Sequence, residues 1–122
     1  MARRVVAVVP DLFFATRIAA TAGQVGVALE MPEPEAALAA IRNAPPALVI
    51  LDLHAPGDPL ALARALKGDP ATRNLRLIGF YSHVDRELRR AAEQAGLDEV
   101  LPRSTFTRHL PALLRGDGVT GR

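Results

Sequence analysis

At 122 residues the chain is sized for one compact domain, and its 49% hydrophobic and 23% charged content suits an ordinary buried core rather than disorder. The lack of cysteine excludes disulfides and thiol chemistry, and with aromatics at only 4% the core falls to Val, Leu, Ile and Ala, as in covered parallel strands. The formal net charge is +2, and Arg3, Arg4, Arg115 and Arg122 sit near the chain ends rather than on one patch, which argues against nucleic acid as a partner.

The apolar run after the basic start stops at Pro10-Asp11, too short for a signal peptide core or a membrane span, so a cytoplasmic protein with no membrane partner is expected. That run, Val5 to Val9, reads as a first strand buried on both faces. Asp11 is placed to cap a first helix whose Ala15, Ile18, Ala19 and Ala22 recur at helical period, with Gly23 positioned to end it in the left-handed conformation. Phe13 and Phe14 fall off that stripe and are expected near the rim, either packed beneath a loop or forming a partner-contact patch.

Val25 to Leu29 reads as a second strand, and Pro34 suits the first turn of a helix with Ala37, Ala40 and Ile41 inward. Asn43 to Pro46 breaks it. Ala47 to Leu51 is the strongest strand signal, with Asp52 at its carboxyl end. Asp58-Pro59 supplies an N-cap and a first-turn proline for a short helix, Leu60 to Lys67, closed by Gly68. A fourth strand follows from about Leu75 to Phe80. A fourth helix starts near Asp85, with Val84, Leu88, Ala91, Ala92 and Ala95 inward and Arg86, Arg89 and Arg90 mostly outward. Glu99 to Leu101 is a minimal fifth strand. The last helix is best capped by Thr107, which puts Pro111 in its first turn, where a missing N–H costs little. Residues 1–115 form the domain, and Gly116 to Arg122 is expected to be a mobile tail.

Alternating strands and helices predict an α/β domain with a doubly wound parallel sheet and helices on both faces. Ligands of such sheets bind outside the carboxyl ends of the strands, which collects Asp11, Asp52 to Gly57, Tyr81 to His83 and Pro102 to Thr105. Two carboxylates and a backbone carbonyl there would suit Mg²⁺, and a site of that kind could accept a phosphoryl group.

Over roughly residues 3 to 114 this order and spacing resembles the receiver (CheY-like) domains of two-component response regulators. LVILDLHAPG, Leu48 to Gly57, is similar to the family's third-strand signature, with Asp52 in the place of the phosphorylated aspartate and Pro56 in that of the proline four residues on. Asp11 matches the second member of the acidic pair after the first strand, while SHVD and GLDEVLPRS resemble the segments after strand four and across strand five. The resemblance implies a flavodoxin-like five-stranded sheet in the order 2-1-3-4-5, metal ligands from Asp11, Asp52 and the backbone carbonyl of His54, and a phosphate-pairing cation at Arg103. It also implies a hydroxyl from Ser82 or Tyr81: counting from Asp52 favours Ser82, whereas matching SHVD gives Tyr81.

The departures are as informative. Pro10 removes one acidic group, so Mg²⁺ binding should be weakened; Arg103 stands where the family has lysine and Ser104 where it has proline; and Val100 takes the aromatic switch position. The expected function is therefore a stand-alone pseudo-receiver, a signalling module acting through protein contacts with an atypical acceptor at Asp52. The alternative is a conventional regulator phosphorylated on Asp52 with Mg²⁺, and a remote one is a small-ligand or nucleotide-binding use of the fold. It is not expected to be an enzyme beyond self-phosphorylation or dephosphorylation at Asp52. Expected partners are a histidine kinase, a phosphotransfer protein or a downstream signalling protein, with a homodimer left open. Arg86, Arg89, Arg90, Phe13 and Phe14 are the candidate partner face.

Each of these residues also has a plain structural reading. Asp11 can be only a helix cap, Arg103 a surface ion pair, and the helix-four arginines a solvated face. His54, His83 and His109 lack metal-ligand spacing. Asp52 to Gly57 also fits the DxHxxG pattern of cobalamin-binding domains, but that pattern follows a first strand there and a third one here.

Overall fold

A computed structural model describes residues 3–82 and 85–117. In chain order the elements are β1 (Arg4–Val8), α1 (Leu12–Val25), β2 (Ala28–Glu30), a 3₁₀ turn (Pro34–Ala36) and α2 (Ala37–Asn43), followed by β3 (Leu48–Asp52), α3 (Pro59–Gly68), β4 (Arg76–Tyr81), α4 (Arg86–Gln94), β5 (Glu99–Pro102) and α5 (Arg103–Arg115). The strands form one parallel sheet in the order β2-β1-β3-β4-β5, as expected, with three-residue β2 and four-residue β5 at its edges.

Strand alternation divides the core into two layers. Val5, Ala7, Leu48, Ile50, Ile78 and Phe80 face α1 and α5, whereas Val6, Val8, Val49, Leu51 and Leu77 face α2, α3 and α4. With both faces covered, every residue of β3 is buried, including Asp52 at its end. The register places Val8 beside Leu51, Asp52 beside Phe80, and Tyr81 beside Pro102, so all the carboxyl ends except that of edge strand β2 are aligned on one rim.

The capping aspartates act as expected: Asp11, Asp58 and Asp85 accept hydrogen bonds from the backbone N–H groups of Phe14, Ala61 and Leu88. Several expectations are corrected. Helix α1 does not stop at Gly23. It runs to Val25, and Gly26 takes the left-handed conformation at φ 77° while donating to the Ala22 carbonyl. The longer helix shortens the second strand to Ala28–Glu30. Phe14 is not off the buried stripe; it leads the inward set Phe14, Ile18 and Ala22, while Ala19 is exposed.

The largest correction concerns α5, which begins at Arg103 rather than after Thr107 and so holds Pro111 in its interior. Starting later would leave Phe106 outside the helix. In the fold its ring is fully buried, stacked 4.7 Å from Phe80 and 5.8 Å from Phe14. Burying such a side chain contributes about 1.5–3 kcal/mol, and each aromatic pair adds about 0.5–1.5 kcal/mol. Together these offset the roughly 3 kcal/mol cost of an interior proline. At the other end Gly116 and Asp117 close the helix by donating to the Leu113 and Ala112 carbonyls, and the rest of the expected tail lies outside the described residues. Val84, His83 and residues 118–122 lie outside the described residues. No helix among the described residues is long and apolar enough to cross a membrane.

Candidate functional site

Asp52 closes β3 on the rim with its side chain almost entirely buried. Its Oδ1 accepts a 2.9 Å hydrogen bond from the His54 N–H, and its carbonyl accepts from Ala55, the local bonding by which aspartate shapes a turn. Leu53 N–H donates across to the Phe80 carbonyl, tying the start of the loop to β4. His54 itself is exposed.

Asp11 stands on the same rim, beyond the end of the adjacent strand β1. One carboxylate oxygen caps α1 through Phe14 N–H at 3.2 Å, and the other faces Arg103 Nη2 at 3.4 Å. The hydrogen bond from Phe14 N–H, helped by the nearby guanidinium, holds the Asp11 carboxyl below its ordinary value.

Arg103 is the first residue of α5, directly after Pro102. Its guanidinium lies 4.3 Å from the centroid of the Phe14 ring and 5.8 Å from that of Phe80, a cation–π seat at the end of the Phe14–Phe80–Phe106 cluster. The Nε is buried without a hydrogen-bond partner, so stacking and the Asp11 pair fix the side chain. Among the described residues Arg103 makes no ion pair with Asp52. The hydroxyl candidates differ in setting: Ser82 is exposed just past β4, whereas Tyr81 is the buried last residue of that strand.

These donors do not make a ready Mg²⁺ cage. Pro10 offers no carboxylate, Asp11 has one oxygen on a backbone N–H and the other on a guanidinium, and Asp52 has one oxygen committed to His54 N–H. A divalent ion wants several free oxygens, and here it would have to displace a resident cation from Asp11. No group of three or more His, Asp or Glu among the described residues is arranged to hold a metal.

On the candidate partner face, Arg86, Arg89 and Arg90 are all exposed on α4, whose inner side carries Ala92. Arg89 pairs with Glu93 one turn on, at 3.5 Å. Phe13 is 93% exposed, whereas Phe14 is buried and can serve a partner only through Arg103. Arg17, not singled out from the sequence, and Thr107, named there only as a helix cap, join Asp11, Phe13, Phe14 and Arg103 around an open cleft of about 300 Å³. The spacing of Arg17, four residues after Phe13 on one helix, is the signal that could have found it.

Neither the protein-family models nor the curated proteins compared with the sequence match it. Solved structures match closely in fold. The chain superposes on a candidate response regulator from Chloroflexus aurantiacus with a TM-score of 0.86 at 20% identity, covering 100% of both chains. The chemotaxis response regulator CheY4 of Vibrio cholerae gives 0.83 at 16% identity over 94% of this chain and 98% of the other. A CheY-like receiver domain protein from Methanospirillum hungatei gives 0.82 at 17% identity over 94% and 92%. The chain therefore has the CheY-like receiver fold.

Proposed function

We propose that the chain is a two-component receiver module that acts through protein–protein contacts, with Asp52 as an atypical acceptor position whose state is uncoupled from those contacts. The observation that carries this reading is the placement of Arg103. A phosphoryl group on Asp52 would need a nearby cation to stabilise its charge. The cation available on the rim is stacked on Phe14 and paired with Asp11. Freeing it would cost both contacts, so added charge at Asp52 has no ready means of moving α5.

On this reading the chain is not an enzyme in its own right. Its partners are a histidine kinase, a phosphotransfer protein or a downstream signalling protein, met through the exposed arginines of α4. The second reading, Mg²⁺-dependent phosphorylation of Asp52, draws on the common rim shared by Asp11 and Asp52. In it a carboxylate oxygen of Asp52 attacks the donor phosphorus, the bond to the donor's leaving group breaks, and an acyl phosphate forms.

Incubation with Mg²⁺ and acetyl phosphate, followed by intact-mass measurement, separates the two. Uncoupled signalling predicts partner capture without a phosphodonor, lost when Arg86, Arg89 and Arg90 are changed to Glu. An added phosphoryl mass that vanishes in Asp52→Ala, together with partner capture that depends on it, overturns the proposal in favour of the second reading.

A further inference from the structure

Two surface features flank Asp52 without including it, and they are complementary. The first is a knob. Leu12 and Phe13 are the exposed large hydrophobic side chains among the described residues, 80% and 93% accessible, at the start of α1. Arg17 stands one helical turn beyond Phe13, on the same face, and makes no ion pair among the described residues. The second is a socket. An open cleft of about 280 Å³, lined mainly by apolar groups that include Val8, Pro34, Pro56 and Leu62, lies between the 3₁₀ turn and the start of α3. Glu35 rims it and likewise makes no ion pair among the described residues, while Asp58 on the same rim is only loosely held by Arg64 at 3.7 Å.

We propose that the chain self-associates by seating Phe13 of one copy in this cleft of another, with Arg17 paired to Glu35. The ring fits in size, because benzene occupies a protein cavity of about 150 Å³. Among the described residues, the apolar knob carries an unpaired positive charge beside it and the apolar socket an unpaired negative one. Knob and socket are different patches, so a two-fold pair would make the contact twice, whereas a head-to-tail arrangement would extend into longer oligomers. A contact this small gives weak association, seen at high protein concentration and reduced by salt.

Sedimentation equilibrium at low salt, from micromolar to millimolar protein, tests the proposal. The weight-average mass of the wild-type chain should rise with concentration. Phe13→Ser should weaken association by about tenfold or more, the loss expected from leaving an aromatic ring unburied. Arg17→Glu and Glu35→Arg should each weaken it several-fold, and the double variant should recover it. A mixture of Phe13→Ser and Glu35→Arg should associate more strongly than either variant alone, because one intact knob still meets one intact socket. All three residues are exposed, and circular dichroism checks that each variant remains folded. A wild-type chain that stays monomeric throughout overturns the proposal, as does a charge swap that fails to restore association. None of these variants touches Asp52, so the result is independent of how that residue behaves.

Discussion

Pro111 occupies the ninth position of α5, where its missing N–H leaves the Thr107 carbonyl without the partner that an ordinary helix would supply. Replacing it with alanine should therefore stabilise the protein. Alanine in a helix interior is about 3 kcal/mol more favourable than proline. Only part of that is recoverable, because the surrounding turn has adapted to the ring and Thr107 is partly open to water. A gain of about 1–2 kcal/mol is expected. For 122 residues the unfolding entropy is about 0.26 kcal/mol/K, so Tm should rise by about 4–8 °C. Thermal unfolding at neutral pH, followed by circular dichroism at 222 nm, measures it. If α5 instead began after Thr107, Pro111 would sit in a first turn and the substitution would be neutral or destabilising. An unchanged or lowered Tm refutes the helix boundary, and with it the placement of Arg103 at the start of α5.

Three further expectations bear on the same rim and core. At Gly79 in β4 an added Cβ would lie 2.4 Å from Leu97 Cδ2 and 3.0 Å from Leu53 Cδ2. Gly79→Ala should thus destabilise by about 0.5–2 kcal/mol in urea unfolding, the overpacking cost less the entropy gained by replacing glycine in a strand. The Thr72 hydroxyl donates 2.7 Å to the Leu66 carbonyl in a buried setting, so Thr72→Val should cost about 1–2 kcal/mol by the same measurement. Because the folded-state carboxyl of Asp11 is held below its ordinary value of 3.8, its contribution is fully present above that value and is lost as pH falls through the lower folded one. Asp11→Asn keeps a competent cap but no charge. The Tm advantage of the wild type over this variant should shrink on acidification below about pH 4, and a difference independent of pH would refute the charge term.

Much of the fold was readable because its signals are local. Continuous apolar runs marked the covered strands, and Asp11, Asp58 and Asp85 marked helix starts through bonds that span only three residues. The misplaced boundaries are those where a local preference lost to distant packing. Gly23 looked like a helix stop, but Val25 extends the inward face and Gly26 closes it; Pro111 looked like a helix start, but Phe106 needed the turn before it to reach Phe80 and Phe14. The site divides in the same way. That Asp11 and Asp52 share a rim follows from strand order alone. The partnership of Arg103 with Asp11, ninety-two positions away in the chain, depends on a long side chain settling on two rings that no spacing rule brings together.

The sheet's short margins set the mode of recognition. An intruding peptide extends a sheet by pairing main chain to main chain along a long, open edge. Here one edge strand has three residues, and the other has four and ends in Pro102, which lacks an N–H to offer. Backbone zippering is therefore a poor way to grip this molecule. On the proposed reading a partner would have to read side chains on helices and loops, and a few surface substitutions would then change what binds while the scaffold beneath stays intact.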